Sequence, residues 1–178
     1  MRIFADALTS FLDNRFHVMI RKIFLFSALL ILAHFCNGQK AELVKLEKLQ
    51  SEISKSSEQI LVFNFWATWC APCVKELPLF EKLNQNDKEV KVTLVSMDID
   101  LDPNPEKVYK FIERKKIQSR VIILDAVDPN SWINKIDKNW SGALPATLII
   151  NTKTGERRFV NNALKEGDLE KLVAEVKS

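Results

Sequence analysis

A chain of 178 residues has room for one domain of ordinary size and too little for two. With 47% hydrophobic and 28% charged residues and only 4 Gly and 6 Pro, it is neither fibrous nor largely disordered. Of the net charge of +3, two units lie in the first 38 residues; beyond them 22 basic residues face 21 acidic ones, which leaves almost no positive surplus for nucleic-acid phosphates.

In chain order, the stretch MIRKIFLFSALLILAHFCNGQ places Arg21 and Lys22 before an apolar run from Ile23 to Phe35, followed by small residues. That is the layout of a secretory signal peptide. A membrane span takes about 20 apolar residues, and this run is shorter and contains His34, so a cleaved leader is expected rather than an anchor. Cleavage after Gly38 would discard Cys36 and begin the mature chain at Gln39. Lipid attachment at Cys36 is the rival, but Phe35 stands where the lipoprotein pattern has a small residue. Residues 1–18 carry Asp6 and Asp13 and no helical or strand pattern, so translation from Met19 is expected. The predicted organisation is therefore a leader over 1–38, made of a mis-assigned start (1–18) and a signal peptide (19–38), and a domain over 39–178. The predicted location is the periplasm or cell envelope, soluble after cleavage, with membrane association only through an uncleaved leader or a lipidated Cys36.

Loss of the leader also removes His17 and His34, the two histidines. Ser-His and Cys-His nucleophile systems and histidine-ligated metal sites go with them. Of the three cysteines, Cys70 and Cys73 remain, and two cysteines cannot close a four-ligand zinc site within one chain. An even pair in an exported protein reads as a disulfide or a redox dithiol.

From Ala41 to Ile53, Leu43, Leu46, Leu49 and Ile53 recur at helical spacing between charged residues, which predicts an amphipathic helix. QILVFNFW is apolar on both alternating faces except at Asn64, as a strand covered on both sides must be. APCVKELPLFEKLN reads as a helix that Pro78 should bend, and EVKVTLVSMDID as the next strand. NPEKVYKFIERKKI has Asn104 as a cap and Pro105 at the first helical position. RVIILD is a short buried strand, DPNSWINKIDKNW a helix-like segment capped near Asp128, and PATLIIN and RRFVN a hairpin across TKTG. Glu166–Val176 closes the chain as a helix. This alternation predicts a mixed sheet with helices on both faces. DIDLDPNPE resembles a calcium loop, but Pro103 occupies the required Gly position and Tyr109 that of the closing Glu.

Cys70 falls at a helix N-terminus, where unpaired N–H groups and the positive end of the dipole favour thiolate. Cys73 is close to one turn on, so its sulfur can attack a mixed disulfide formed at Cys70. Cys70 is thus the predicted nucleophile and Cys73 the resolver. Pro72 suits the first turn, because the N–H it lacks would have had no helical partner. A purely structural disulfide here would close a four-residue loop and gain little from chain entropy.

FWATWCAPCVKELP followed by GALPATLII resembles the thioredoxin-like family, and within it the exported disulfide reductases of the TlpA and ResA type, over roughly residues 41–178. The resemblance implies an α/β thioredoxin fold: a central mixed sheet, helices on both faces, and an insertion before the cis-proline strand, with room for it between Asp100 and Trp140. It implies that Pro145 is cis and lies against the dithiol, and that Leu144 offers backbone groups to a substrate segment by strand addition. Trp69 and Pro72 join these as substrate-binding positions, with Trp66 and Trp69 as apolar walls and Trp140 as wall or core. Glu76 matches an acid seen after the dithiol in many exported relatives, where it would take a proton from Cys73. Cytoplasmic thioredoxins carry an aspartate where this chain has Asn64, which cannot shuttle protons.

The function this predicts is reduction of disulfides in client proteins, with electrons from an upstream dithiol donor, no cofactor and no bound metal. An oxidase or isomerase would use the same parts at a different potential, and reductase is preferred because the relatives this chain resembles are mostly reductases. Two rivals come from other classes. One is a thioredoxin-fold peroxidase, which usually needs a Pro and Thr motif absent here. The other is a Cu(I)-binding dithiol module, which leaves Pro145 unexplained.

Overall fold

Strand β2 (Ile60–Trp66) organises the molecule, because all seven of its residues are buried and it needs cover on both faces. The computed structural model describes residues 41–55, 59–126 and 128–178. The expected leader, its processing site and Cys36 lie outside the described residues. The remaining strands are β1 (Glu42–Lys45), β3 (Val90–Ser96), β4 (Arg120–Asp125), β5 (Ala146–Asn151) and β6 (Arg157–Val160). They form one mixed sheet in the order β1-β4-β3-β2-β5-β6. The first four in that order run parallel, and β5 and β6 complete the sheet antiparallel.

Parallel crossovers are right-handed, and this dictates which face each helix covers. The helices are α1 (Leu46–Ser54), α2 (Ala71–Asn86), α3 (Glu106–Lys115), α4 (Ile133–Ile136) and α5 (Asp168–Lys177). The path β2-α2-β3-α3-β4 steps one way across the sheet and keeps α2 and α3 on one face. The path β1-α1-β2 steps back and puts α1 on the other. Accordingly Leu77 and Phe80 of α2, Phe111 of α3 and Val173 of α5 share a buried cluster with Val62 and Trp66. Leu49 of α1 and Ile136 of α4 share the opposite one with Phe63 and Phe65. The two-residue alternation of β2 therefore sends Asn64 to the α2 face.

The structure corrects the sequence reading in three places. Glu42–Lys45, expected as the first helical turn, pair with β4 in the register Val44↔Leu124. The spacing of Leu43 and Leu46 imitates a helix, but the buried residue is Val44, and Leu43 is half exposed. The segment 128–140 is a 3-10 turn (Pro129–Ser131) followed by the single turn of α4, and Asp128 sits at φ 51 with no side-chain cap. Trp132 breaks the helix so that its ring meets Trp140 edge-on at 5.9 Å. Finally, β3 stops at Ser96, and Asp98–Asp100 form a 3-10 turn.

Other expectations are met with small shifts. Helix α2 carries on through Pro78 to Asn86. Helix α3 begins at Glu106, whose N–H is accepted by Asn104 Oδ1 at 3.0 Å. The stretch between Asp100 and Trp140 does not form an appendage: it supplies α3 and wedges β4 between β3 and β1.

Candidate active site

Strand β2 delivers the chain to the site. After Trp66, residues 67–69 turn, and Cys70 stands at the N-cap of α2 in an extended conformation. Its N–H is bonded to Ala67 O at 3.1 Å, and its own carbonyl accepts the first helical bond from Val74 N–H at 3.0 Å. Cys73 lies in that first turn. The two sulfurs form a disulfide, with Cα atoms 5.3 Å apart. The pair is asymmetric: Cys70 keeps 6% of its surface and Cys73 none. Ala71 and Pro72 between them are exposed, and Trp69 beside them is half exposed. Pro72, in the first turn, lacks an N–H at a position where helices leave it unpaired.

The antiparallel pairing Phe65↔Ala146 places the start of β5 at the end of the sheet where β2 stops and α2 begins. Pro145, immediately before β5, is therefore level with Trp66. The Leu144–Pro145 peptide bond is cis. Pro145 is buried, and half-buried Leu144 packs against the apolar cluster that contains both cysteines. Trp140 Nε1–H donates to Ala143 O at 2.9 Å and so pins the approach to this segment. The sheet end thus gathers Trp69, Cys70, Pro72, Cys73, Leu144 and Pro145.

Glu76 lies beneath that surface. It follows Cys73 by three residues on the buried side of α2 and is 2% exposed. Its Oε1 accepts Asn64 Nδ2–H at 2.9 Å, and its Oε2 accepts Leu164 N–H at 2.7 Å. Burial pushes its carboxyl above the ordinary glutamate range, partly offset by the bonds from Leu164 and Asn64. The Asn64 amide also reaches Thr147 Oγ1 at 3.2 Å and Ala146 O at 3.5 Å, both on β5, while its Oδ1 has no protein partner among the described residues. Asn64 can therefore turn its amide and accept a hydrogen bond through Oδ1 from a protonated carboxyl or an amide at position 76.

This geometry predicts how replacements at Glu76 behave. Because the folded protein holds this proton more tightly than the unfolded chain, the unfolded state binds fewer protons at intermediate pH. Stability from this group therefore falls as pH rises from the ordinary glutamate range through the raised value. Glu76→Gln should fold, with Asn64 Oδ1 accepting its amide, and should lose that slope in urea titrations repeated across the weakly acidic range. Glu76→Ala should cost about 1–3 kcal/mol by leaving Leu164 N–H buried and unpaired.

Trp66 belongs to the same buried cluster as the cysteines, its ring 5.1 Å from Phe111, so only Trp69 forms a surface wall. Trp140 is core on the other face, 4.6 Å from Phe65. Sequence reasoning missed Asp98, a buried carboxylate that accepts Thr68 N–H at 3.0 Å, Thr68 Oγ1–H at 2.5 Å and Ser96 Oγ–H at 2.9 Å. The parallel register Trp66↔Ser96, continued two residues, brings Thr68 level with Asp98. Strand register, not motif, was the signal available for it.

A family model described as thioredoxin matches residues 40–113. The thiol-disulfide oxidoreductase ResA of Halalkalibacterium halodurans is 30% identical over 118 residues, which are 64% of this chain and 62% of that protein. The chain thus spans less than two thirds of that relative. The thioredoxin of Chlorobaculum thiosulfatiphilum is 31% identical over 103 residues, 58% of this chain and 83% of the relative. A thioredoxin-related protein from Neisseria meningitidis serogroup B matches with a TM-score of 0.59 at 22% identity, covering 68% of this chain and 87% of that one. StoA from Bacillus subtilis matches with a TM-score of 0.51 at 22% identity, covering 65% and 83%. At such identities the structural likeness speaks for the fold alone.

Proposed function

Since the chain belongs to the thioredoxin-like family, with ResA-type thiol-disulfide oxidoreductases among its relatives, we propose that it is an exported reductase of disulfides in client proteins. The observation that carries this is the asymmetric pair. Cys70 keeps some surface at a helix N-terminus beside exposed Trp69, and Cys73 is fully buried one turn behind it. The cysteine that keeps some surface can meet a client; the one with none can only meet its neighbour.

In the reduced protein the Cys70 thiolate attacks one sulfur of a client disulfide. A Cys70–client bond forms, the client bond breaks, and the released client thiolate takes a proton. Cys73 then gives its proton to the Glu76 carboxylate and attacks the Cys70 sulfur. This forms the Cys70–Cys73 disulfide and releases the second client thiolate, so two electrons have passed to the client. An upstream dithiol donor returns them. The backbone at Leu144 and Pro145, just before β5, holds the client segment as an added strand, and Trp69 and Pro72 give it an apolar floor.

Support for Glu76 as the acceptor comes from its burial, its raised proton affinity and its place one turn after Cys73. A proton acceptor of this kind contributes about 10²–10⁴-fold. Glu76→Gln should slow resolution of the mixed disulfide about a hundredfold and flatten the acid limb of the pH–rate profile. A profile that keeps its limb would remove Glu76 from the reaction.

Export rests on the Arg21–Gly38 pattern and on the even cysteine pair beyond it. N-terminal sequencing of protein from the cell envelope should begin at Gln39. A chain retaining residues 1–18 would count against the leader. Among the described residues no helix is long and apolar enough to cross a membrane.

A further inference from the structure

We propose that Asp98 is a positioning residue for Cys70, acting through Thr68. The inference rests on the reading of Cys70 as the attacking thiolate and extends the site to the end of β3, where no motif points. Burying a carboxylate is costly unless donors surround it. Here three converge on Asp98, two from the Thr68 backbone and hydroxyl and one from Ser96. A carboxylate accepts from all three without offering a proton of its own, which neither an amide nor a hydroxyl can do.

The donors show what the carboxylate is for. Thr68 stands two residues before Cys70 in the turn that joins β2 to α2. Met97 N–H, beside Asp98, donates to Trp66 O at 2.8 Å, and Cys70 N–H donates to Ala67 O at 3.1 Å. The segment 66–70 is thereby tied at Trp66 and Thr68 to the end of β3 and at Cys70 to itself. Asp98 fixes the middle tie. The direction in which α2 presents its N-terminal N–H groups to the Cys70 sulfur is set from β3, through a carboxylate that does not touch the reacting atoms.

Positioning and charge have opposite signs. A carboxylate acting only as a nearby negative charge would hold the Cys70 proton, and its loss would speed thiol reactivity. A carboxylate acting as a clamp favours the thiolate, and its loss would slow it. The test uses full-length protein carrying Cys73→Ser, so that Cys70 reacts alone, with fold checked by near-ultraviolet circular dichroism. Asp98→Asn and Thr68→Val should each slow iodoacetamide alkylation of Cys70 at pH 7 about fivefold, the scale of a helix-terminus interaction. With both cysteines present, each should shift the equilibrium with glutathione about fivefold toward the disulfide. Thr68→Ser, which keeps both donors, should stay within about twofold of the parent. Should Asp98→Asn fail to fold, Thr68→Val carries the test alone, because it removes only the hydroxyl bond.

Unchanged or faster alkylation in folded Thr68→Val or Asp98→Asn overturns the proposal, since a purely stabilising contact would lower the unfolding midpoint and leave alkylation of the folded protein alone. Failure of the parent protein to reduce any protein disulfide would sink the reductase reading instead, and the alkylation series would still decide the role of Asp98.

Discussion

Cys70→Ser should reduce thiol release from a disulfide-bearing protein to background, a loss on the order of 10³-fold or more, with little change in stability. The reason is the division of labour between the two sulfurs. Cys73 has no exposed surface and lies behind Cys70 on α2, so it cannot replace Cys70 as the first attacker. Cys73→Ser should behave differently: its first attack survives, and the mixed disulfide accumulates on Cys70 because nothing resolves it. Mass spectrometry after acid quench reads both outcomes. Equal residual activity in the two variants would show that the buried sulfur reaches clients, against the asymmetry seen here.

The largest expected loss of stability is at Trp140. The ring is 2% exposed and packs against Phe65 at 4.6 Å and against Trp132 and Phe159 at 5.9 Å. Trp140→Ala removes all three contacts and the bond to Ala143 O, and should cost about 3–5 kcal/mol, a large part of the roughly 5–15 kcal/mol that holds such a domain. Trp140→Phe keeps the ring contacts and loses the indole bond, so its cost should be nearer 1–2 kcal/mol. Because Ala143 directly precedes Leu144 and Pro145, the Phe variant should also weaken client capture while staying folded. Urea unfolding followed by circular dichroism measures the first effect. A cost below about 1 kcal/mol for Trp140→Ala would mean that the aromatic cluster closes over the gap.

Local chemistry made the heart of the site legible. Cys70, Pro72 and Cys73 announce a helix N-terminus through spacing and through the one missing N–H, and β2 announces itself by apolar residues on both faces. What was hidden is what depends on register and burial between distant segments. Nothing in the order of residues says that Leu164 N–H meets Glu76, 88 positions earlier, or that Asp98 points at Thr68 rather than at a cation. The false helical turn at Glu42–Lys45 has the same origin. Leucine spacing is a local signal, whereas the vacant edge of β4 that recruits Val44 exists only once the sheet has formed. Likewise the broken helix over 128–140 follows from packing Trp132 against Trp140, a tertiary demand that overrode its helical spacing.

The central claim is that Cys70 and Cys73 cycle between dithiol and disulfide in use, and the reduction potential of the pair tests it most directly. Equilibration with graded glutathione buffers, quenched and read by thiol alkylation and mass spectrometry, should give a value within about −270 to −120 mV, the range of working redox proteins. A value below about −300 mV, typical of disulfides that only hold structure, would contradict the account.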